Sequence, residues 1–307
     1  MSGESASIRI FRNSDPPSLA EIWNRCLIDQ AIARPLSLYE LEDRVFNHPF
    51  FEARGLLIAE RPGSGEVMGF AHVGFGPIEA DQCAFGPNRE LGTIAMLVVD
   101  PSVCPPGVDP VAVATQLISA ADEALRAQGA LVRYAGGQFP LNPFYWGIYG
   151  GSEFSGILSS HDIFLRALQQ SGFQPCSTMV LLQSEVNQRV ATQVRGILIR
   201  TQTRLEIHES PDWPTAWHEL ALSPFQHTRF ELRLRGGGEP LIASALTWEM
   251  EWYQREEPHR LLGIIGVEVH PEHRRKGYGR FLMGEIRKYA EQHMHDVLWV
   301  QTAATNA

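Results

Sequence analysis

The residues best suited to chemistry lie in one run near the C-terminal end of the sequence, RRKGYGR at 274–280. The run carries four cationic side chains and two glycines, and it contains no acidic residue. The chain as a whole is acidic, with a formal net charge of −9, and both of its lysines, Lys276 and Lys288, lie in this region. A cluster of positive charge in so acidic a chain indicates a site for an anionic ligand.

The elements around this run are those that would position an anion site. An apolar stretch, LLGIIGVEVHP at 261–271, predicts a buried strand that ends at Pro271. An amphipathic pattern at 279–293 predicts a helix directly after the glycines. The first N–H groups of a helix lack partners within it, and the helix dipole is positive at that end. Backbone and side chains therefore predict binding of a phosphorylated ligand, such as one that carries a pyrophosphate.

Composition excludes several other classes of protein. The 307 residues contain 44% hydrophobic and 20% charged side chains, which is typical of a globular chain. The sequence has neither a GxxxxGK[ST] run nor a GxGxxG run, so it contains no P-loop and no dinucleotide fingerprint. An acidic chain lacks the broad basic face that nucleic acid binding needs, and no apolar stretch is long enough to span a membrane. We therefore expect no nucleic acid partner and no membrane.

The cysteines and the N-terminus predict a cytoplasmic protein. The first residues, MSGESASIRIFRNSDPP, lack the apolar region of a secretory signal. The four cysteines, Cys26, Cys83, Cys104 and Cys176, are widely spaced and form no CxxC pair. We therefore expect reduced thiols and no metal site.

The N-terminal part of the chain, 1–184, reads as an α/β unit and carries nearly all of the net charge, −8. A predicted hairpin at 55–76 is followed by an apolar strand that ends at Pro101. A helix at 110–128 and a strand at 130–136 come next, and the last predicted strand of this part is STMVLLQ.

The C-terminal part, 185–307, repeats the same order and is nearly neutral, −1. An extended segment at 196–209 precedes a hairpin at 229–253, the strand that ends at Pro271, the helix described above and a strand at 296–303. We interpret the repeat as an internal duplication, with two domains, 1–184 and 185–307. The fold class is α/β (α+β), and each copy is a mixed, mostly antiparallel twisted sheet flanked by helices.

The strand, the proline and the glycine loop resemble the signature of the GCN5-related N-acetyltransferase (GNAT) superfamily. The family pattern V-x-V-x-P followed by R-x-x-G-x-G stands here as Val267 to Pro271 and Arg274 to Gly279. The resemblance implies acetyl-CoA or another acyl-CoA as the co-substrate and an amine as the acceptor.

The resemblance also implies which residues hold the co-substrate. In the family, the loop backbone holds the pyrophosphate, the strand backbone pairs with the pantetheine arm, and an asparagine after the next strand contacts CoA. Carried over, the binding residues are Val267, Val269, Arg274, Arg275, Lys276, Gly277, Tyr278, Gly279, Arg280 and Asn306.

The N-terminal copy resembles the family less closely. LVVDP at 97–101 matches the strand end, but the loop at 102–113, SVCPPGVDPVAV, carries three prolines and no cation. Proline has no N–H to donate, and Asp109 would repel phosphate. We therefore expect 1–184 to be a degenerate copy that does not bind CoA in the family's manner, an arrangement that is similar to the tandem copies of mycothiol synthase.

Glu268 is the catalytic residue that we predict. If Val267 and Val269 face the core, the side chain between them faces the other layer, where it could deprotonate an acceptor ammonium directly or through water. A salt-bridged or exposed structural role for Glu268 is the alternative. Further candidates for the base are Glu249, Glu251, His259 and His270.

Two other groups of residues lie outside the predicted CoA site. The aromatic run at 142–156 either packs between the two copies or lines a substrate pocket. His293 and His295 are expected at a solvated helix end.

These observations predict an acyl-CoA-dependent N-acetyltransferase that acts on an amine of a small molecule or peptide. The amine would attack the thioester directly, in a ternary complex at the C-terminal domain. A non-catalytic protein that binds CoA and a structural protein that binds none are the alternatives. The family's sheet continues beyond the position of Asn306, so this copy is either truncated or completed by the N-terminal domain or by a second chain in a homodimer.

Overall fold

The computed structural model describes residues 6–27, 33–78, 86–137, 141–153, 156–187, 194–212, 219, 225–236, 238, 240–250 and 260–306. These residues form two compact units, which are described separately. The first contains the described residues up to Gly150 together with 156–178 and Glu219, and the second contains Gly151–Glu153, 179–212 and those from 225 onward. The predicted fold class is confirmed, since each unit has a mixed, mostly antiparallel sheet flanked by helices.

The first unit is built on a five-stranded sheet. Its strands are β1 (Ser7–Ile10), β2 (Leu56–Glu60), β3 (Val67–Pro77), β4 (Pro87–Val99) and β5 (Val132–Ala135). Its helices are α1 (Pro16–Leu27), α2 (Leu38–Leu41), α3 (Pro110–Ala127) and α4 (Asp162–Gln170). The strand order is β1-β2-β3-β4-β5, and all neighbours are antiparallel except β4 and β5.

The sequence specifies α3 at both of its ends and along its buried face. Asp109 caps the first turn by accepting a hydrogen bond from the N–H of Val111, and Pro110 occupies the first helical position. Gly129 follows the helix with a φ of +102°, a conformation that favours glycine. The apolar stripe packs into the core of the unit through Val113, Ala114, Leu117, Ala121 and Leu125.

The second unit is built on a six-stranded sheet. Its strands are β6 (Met179–Glu185), β7 (Thr203–Glu209), β8 (His227–Leu234), β9 (Leu241–Glu249), β10 (Leu261–Val269) and β11 (Val297–Ala303). Its described helices include α5 (Val194–Gln202) and α6 (Tyr278–Gln292). The strand order is β6-β11-β10-β9-β8-β7, and β10 and β11 are the parallel pair.

β6 forms one edge of the second sheet. All of its residues pair antiparallel with β11, from Met179 opposite Ala303 to Glu185 opposite Val297. This strand was predicted to end the first half of the chain, whereas the division between the units falls between Thr178 and Met179. A segment from earlier in the chain therefore covers the outer edge of β11, which would otherwise be open.

The prediction of an extended segment over 196–209 is wrong in its first half, because Val194–Gln202 forms α5 and the strand begins only at Thr203. Ile199 is buried in the core of the unit, while Ile197 and Leu198 are exposed. Ile199 is the one buried position among the helix residues whose burial is described, 196–202, and its packing has overridden the preference of isoleucine and threonine for strands.

α6 covers one face of the second sheet. Leu282, Ile286 and Ala290 of the helix are fully buried against a cluster that includes Phe230 and Ile264. Their spacing is that of an amphipathic helix, as the sequence predicts. Within the described ranges, no helix is long and apolar enough to cross a membrane.

Candidate functional site

The two parallel strands of the second sheet separate part of the way along. β10 and β11 pair from Leu261 opposite Val297 to Ile264 opposite Val300. Beyond that point β11 continues beside β6, and β10 continues beside β9. Among the described residues, β10 residues 265–269 therefore have no strand on their β11 side. Backbone N–H and C=O groups along such an edge can pair with an extended ligand.

A β-bulge in β10 accompanies this gap. The register with β9 shifts by one residue between Ile265 and Glu268. Gly266 has a φ of +58°, which favours glycine, and no atom lies within 4 Å of the position that a Cβ would take. A bulge bends the strand and interrupts its pairing, and here Gly266, Val267 and Glu268 are all exposed. The edge of β10 is therefore accessible over the bulge.

The loop after β10 enters α6 without a side-chain cap. After a 3₁₀ turn at Pro271–His273, the backbone is left-handed at Arg275, with a φ of +61°, and at Gly277, with a φ of +92°. Gly277 directly precedes α6, and no side chain caps the helix. The first N–H groups of α6 therefore lack acceptors from the helix itself, and with the positive end of its dipole they can bind an anion.

Cationic side chains surround the start of α6. Arg274, Arg275, Lys276 and Arg280 are all exposed, and the first turn of the helix contains no acidic residue. Nε of Arg274 donates a hydrogen bond of 2.9 Å to the carbonyl oxygen of Val269, which ties the loop to the end of β10. The anion site and the accessible strand edge are thus adjacent, and together they suit a ligand with phosphates at one end and an extended arm.

Glycine at position 279 keeps the helix close to the strand. A Cβ on Gly279 would lie 3.2 Å from Cγ2 of Val269, which is tighter than an ordinary van der Waals contact. The spacing of Gly277 and Gly279 therefore has two separate causes, a left-handed backbone at the first and close packing at the second.

The predicted binding residues occupy both sides of the gap. Val269 is half-buried against the core, but Val267 is 39% exposed, because the bulge at Gly266 turns it out of the apolar layer. Glu268 is exposed and points to the face opposite Val269. Asn306 is exposed in the 3₁₀ turn Ala304–Asn306 that directly follows β11.

Tyr278 differs from its neighbours in the loop because it is buried. Its ring meets the ring of His273 edge-on, with the centroids 5.7 Å apart, and it belongs to the core cluster below the sheet. Its side chain anchors the start of α6, and its backbone N–H is the part that remains suited to an anion.

Glu249 lies far from the gap. It pairs with Leu262 of β10, and the six residues from there to Glu268 span about 20 Å along a strand. Its carboxylate oxygens lie 2.8 and 2.9 Å from Nε2 of His295, which is buried. The prediction that His295 lies at a solvated helix end is therefore wrong, because its imidazole is buried and pairs with the partly buried Glu249.

The remaining candidates for a base divide into two groups. His270 is exposed and directly follows β10, at the same end of the strand as the loop. Glu251 and His259 lie outside the described residues.

In the first unit, protein carboxylates occupy the positions that correspond to the anion site. The carboxylate of Asp109 accepts a hydrogen bond of 2.9 Å from the N–H of Val111 at the start of α3. Asp100 is buried, accepts a hydrogen bond of 2.8 Å from the N–H of Ser102 and pairs with Arg25. A carboxylate at a helix N-terminus takes the place that an anionic ligand would take.

The gap between the parallel strands of the first unit is filled by the chain itself. β4 and β5 pair from Leu91 to Ile94 on β4, and they separate beyond that point. The buried side-chain amide of Asn142 donates to the carbonyl oxygens of Ala95, at 3.3 Å, and of Gly136, at 2.8 Å. Asn142 therefore bridges the strands in the place where an extended ligand would lie.

The aromatic residues after Asn142 pack within the first unit. The Tyr145 ring stacks on Trp23, with the centroids 5.6 Å apart, and its hydroxyl lies 3.0 Å from Nδ1 of His72. Phe144 fills the space above Gly74, where a Cβ would overlap its ring. Burial lowers the pKa of His72 to about 3, so the imidazole that meets Tyr145 is neutral. These contacts assign Phe144 and Tyr145 a packing role inside the first unit.

Glu153 is a residue near the gap that the sequence analysis missed. It belongs to the second unit, and its backbone N–H donates a hydrogen bond of 2.6 Å to Oε1 of Gln301 on β11. Burial raises the pKa of its carboxyl to about 7. The signal was present in the sequence, since Glu153 is the one aspartate, glutamate, lysine or arginine between Arg133 and Asp162.

One cluster of side chains has the composition of a metal site. Ligand atoms of Glu206, His208 and Glu231 lie within 4.8 Å of one another in the second unit. Arg233 forms ion pairs with both carboxylates, and Arg204 also pairs with Glu206. The arginines already supply the positive charge, so the cluster is an ion-pair network on the sheet.

Residues 201–307 match the family model described as "Acetyltransferase (GNAT) family". No curated protein matches the chain.

Solved structures share the fold at low sequence identity. A glucosamine N-acetyltransferase region of a fungal multi-domain β-N-acetylglucosaminidase aligns with a TM-score of 0.67 and 14% identity, over 99% of this chain and 37% of that one. A GCN5-related N-acetyltransferase from Sphaerobacter thermophilus aligns with a TM-score of 0.57 and 13% identity, over 97% and 87% of the two chains. A tandem GNAT protein from the clavulanic acid biosynthesis pathway aligns with a TM-score of 0.56 and 12% identity, over 99% and 91%. The likeness shows the fold, and the chain spans 37% of the length of the fungal protein.

Proposed function

We propose that the chain is an acetyl-CoA-dependent N-acetyltransferase, because residues 201–307 match the acetyltransferase (GNAT) family model and the whole chain has the fold of tandem GNAT proteins. The observation that carries the proposal is the junction of β10 and α6. There an uncapped helix N-terminus, flanked by four exposed cations, adjoins a strand edge that a bulge leaves accessible.

The residues at this junction fit acetyl-CoA. The backbone N–H groups of Gly277, Tyr278, Gly279 and Arg280 would hold the pyrophosphate, with Arg274, Arg275 and Lys276 supplying charge. The backbone of Val267 and Val269 would pair with the pantetheine arm in the gap, and Asn306 would contact it from the end of β11. Bound there, acetyl-CoA supplies an acyl thioester at the point where the two strands part.

We assign the two halves of the chain different roles. The domain at 185–307 holds acetyl-CoA, with β6 completing its sheet, and the domain at 1–184 is the degenerate copy. Two observations support the second assignment. Asp109 caps the helix that would receive the phosphates, and Asn142 occupies the gap that would receive the arm.

We propose an amine of a small molecule or peptide as the acceptor. Glu268 is an exposed carboxylate at the bulge, so it can attract an ammonium group to the gap, where a general base, Glu268 itself or a second carboxylate, would accept the proton directly or through water. Holding the two substrates in one ternary complex would allow the amine to attack the thioester without a covalent enzyme intermediate. The cytoplasmic location and the independence from metal remain predictions.

Thiol release tests this function. The full chain is mixed with acetyl-CoA and a panel of amino sugars, amino acids and peptides, and free CoA is measured with a thiol reagent. We expect saturable CoA binding by calorimetry and amine-dependent CoA release. Binding without release on any amine would identify a non-catalytic CoA-binding protein, and absence of binding would contradict the proposal.

Arg275, whose backbone is left-handed, gives a first prediction about an individual residue of the loop. Arg275 has a φ of +61°, which costs a residue with a side chain about 1–2 kcal/mol. We therefore expect Arg275→Gly to leave Tm unchanged or slightly raised, yet to weaken CoA binding about 3–10-fold at low salt because a cation is lost. Thermal unfolding and calorimetry would measure the two effects.

The conservative variant Arg275→Lys is the control for charge. It keeps the cation and should keep most of the affinity. Unchanged affinity of Arg275→Gly at low ionic strength would contradict a role for this side chain.

A further inference from the structure

Glu153 is a half-buried carboxylate with no structural task among the described residues. It stands alone as a charged side chain in a run of aromatic, glycine and serine residues. Within the described part of the chain, no hydrogen bond or ion pair reaches its carboxylate, and burial is the sole cause of its pKa shift. Burying an unpaired carboxylate costs free energy, so its position calls for a chemical explanation.

Three contacts fix the backbone around Glu153. The carbonyl oxygen of Ser152 accepts a hydrogen bond of 2.9 Å from Nε1 of Trp248 on β9. The N–H of Glu153 donates to Oε1 of Gln301 on β11. Gly151 packs closely against two side chains, since a Cβ there would lie 2.8 Å from Oε1 of Gln301 and from Cδ1 of Leu181. The segment therefore lies across the sheet with a defined position.

These contacts place Glu153 on the face of the sheet opposite α6. Leu262, Ile264 and Val300 pack in the core with α6, and the residues that alternate with them point the other way. The Trp248 indole lies over Gly263, where a Cβ would be 2.5 Å from its nitrogen, so Trp248 is on that second face. Gln301 follows Val300 and is on the same face.

The position of Glu153 along the strands places it at the gap between β10 and β11. Val300 is the last residue of β11 that pairs with β10, so Gln301 is the first residue beyond the point where the strands part. Glu268 is on the same face, because its neighbour Val269 packs on the α6 side. Glu153 and Glu268 are therefore associated with the two strands that border the gap, Glu153 with β11 and Glu268 with β10.

We propose that Glu153 is the general base that deprotonates the acceptor ammonium. This inference rests on the proposed function. The Glu153 carboxylate takes one proton from R–NH₃⁺, and the freed amine nitrogen forms a bond to the thioester carbonyl carbon. The C–S bond breaks, the sulfur leaves with the bonding pair, and the proton lost by the nitrogen on forming the amide yields CoA as the thiol. In this scheme, the role of Glu268 is to attract the ammonium group of the acceptor to the gap before the reaction.

The electrostatics of the site agree with this role. A general base is most effective when its pKa lies near the working pH, and burial raises the pKa of Glu153 to about 7. The elements in contact with its segment present Trp248, Gln301 and Leu181, none of which is titratable. Below neutral pH the carboxyl becomes protonated, so activity should fall on the acidic side.

The test compares wild-type full chain with Glu153→Gln and with Glu291→Gln, a control on the exposed end of α6. CoA binding is measured by calorimetry, and kcat and kcat/KM are measured against pH with the best amine of the panel. We expect kcat of Glu153→Gln to fall by about 100-fold or more. Its acidic limb, centred near the pKa of about 7, should disappear, while its CoA affinity stays within about twofold of wild type.

The outcomes separate this inference from the function on which it rests. Glu153→Gln removes an unpaired buried charge and is expected to fold, and its retained CoA affinity would demonstrate that. A near wild-type kcat with the acidic limb intact would overturn the inference and leave the function standing. Loss of that limb in Glu268→Gln instead would assign the base to Glu268. Failure of wild type to bind CoA would overturn both.

Discussion

Replacing Gly277 by glutamate is expected to weaken CoA binding by at least about 100-fold, or roughly 2.7 kcal/mol. The substitution puts a carboxylate at the uncapped start of α6, where the phosphates are proposed to bind, and like charges brought together cost several kcal/mol. Calorimetric titration of the full chain with CoA measures the change directly.

The matched control is Gly107→Glu in the corresponding loop of the first unit. Gly107 has a φ of +85°, close to the +92° of Gly277, and no atom lies within 4 Å of the position that a Cβ would take at Gly107. Both variants therefore carry a similar backbone strain of about 1–2 kcal/mol, but we expect Gly107→Glu to keep its CoA affinity. If Gly107→Glu weakened CoA binding and Gly277→Glu did not, the binding site would lie in the first unit, and the assignment of CoA binding to the C-terminal half would be refuted.

Replacing Leu182 by proline is expected to destabilise the second unit by about 1–3 kcal/mol. The N–H of Val186 donates a hydrogen bond of 2.8 Å to the carbonyl oxygen of Asp296. Backbone N–H groups of alternate residues in a strand point to the same side, so the N–H of Leu182, four residues earlier, also faces β11. Proline removes that donor and leaves the partner carbonyl without it. Leu182 is 45% exposed, so little packing is lost with the side chain. Thermal unfolding should show Tm lower by roughly 2–4 °C per kcal/mol.

Gln183→Pro separates the hydrogen bond from the presence of a proline. The N–H of Gln183 points away from β11, toward the open side of an edge strand, where proline is tolerated. We expect this variant to unfold close to the wild-type temperature. Equal losses of stability in the two variants would mean that the pairing of β6 with β11 is not what holds this edge.

The strands and helices that surround the loop follow from local sequence. A continuous apolar run that ends at Pro271 specifies β10, and glycines before an amphipathic pattern specify the start of α6. Asp109 and Pro110 specify α3 in the same way. These elements are predictable because their signals, periodicity and end residues, lie within the elements themselves.

Pairings between distant segments are not encoded locally. Nothing in Met179–Glu185 indicates that it pairs with β11 rather than with the first sheet, because an apolar strand can add to any open edge. The bulge at Gly266 is similar, since one glycine in a strand is compatible with several conformations. Only the tertiary structure decides between them.

The catalytic assignment depends most on contacts that sequence cannot supply. Glu249 was a candidate because one face of its strand could line the same cleft as Glu268, but the register of β9 with β10 places it about 20 Å from the bulge. Glu153 was missed because it is far along the chain from the motif, although an isolated acid in an aromatic and glycine-rich run is unusual. A solitary charged residue in an aromatic and glycine-rich run is therefore a sequence signal that can point to a functional residue.

The order of β6 and β11 along the chain affects how the protein is made. The ribosome completes β6 roughly a hundred residues before β11, so at about 5–20 residues per second the strand waits on the order of ten seconds for its partner. The strands and helices of the first unit from β1 to α4 have all been synthesised by then, and they can fold while translation continues. β6 cannot pair with β11 until β11 has been synthesised, so throughout that interval it is an unpaired strand, open to non-native pairing, in the nascent chain.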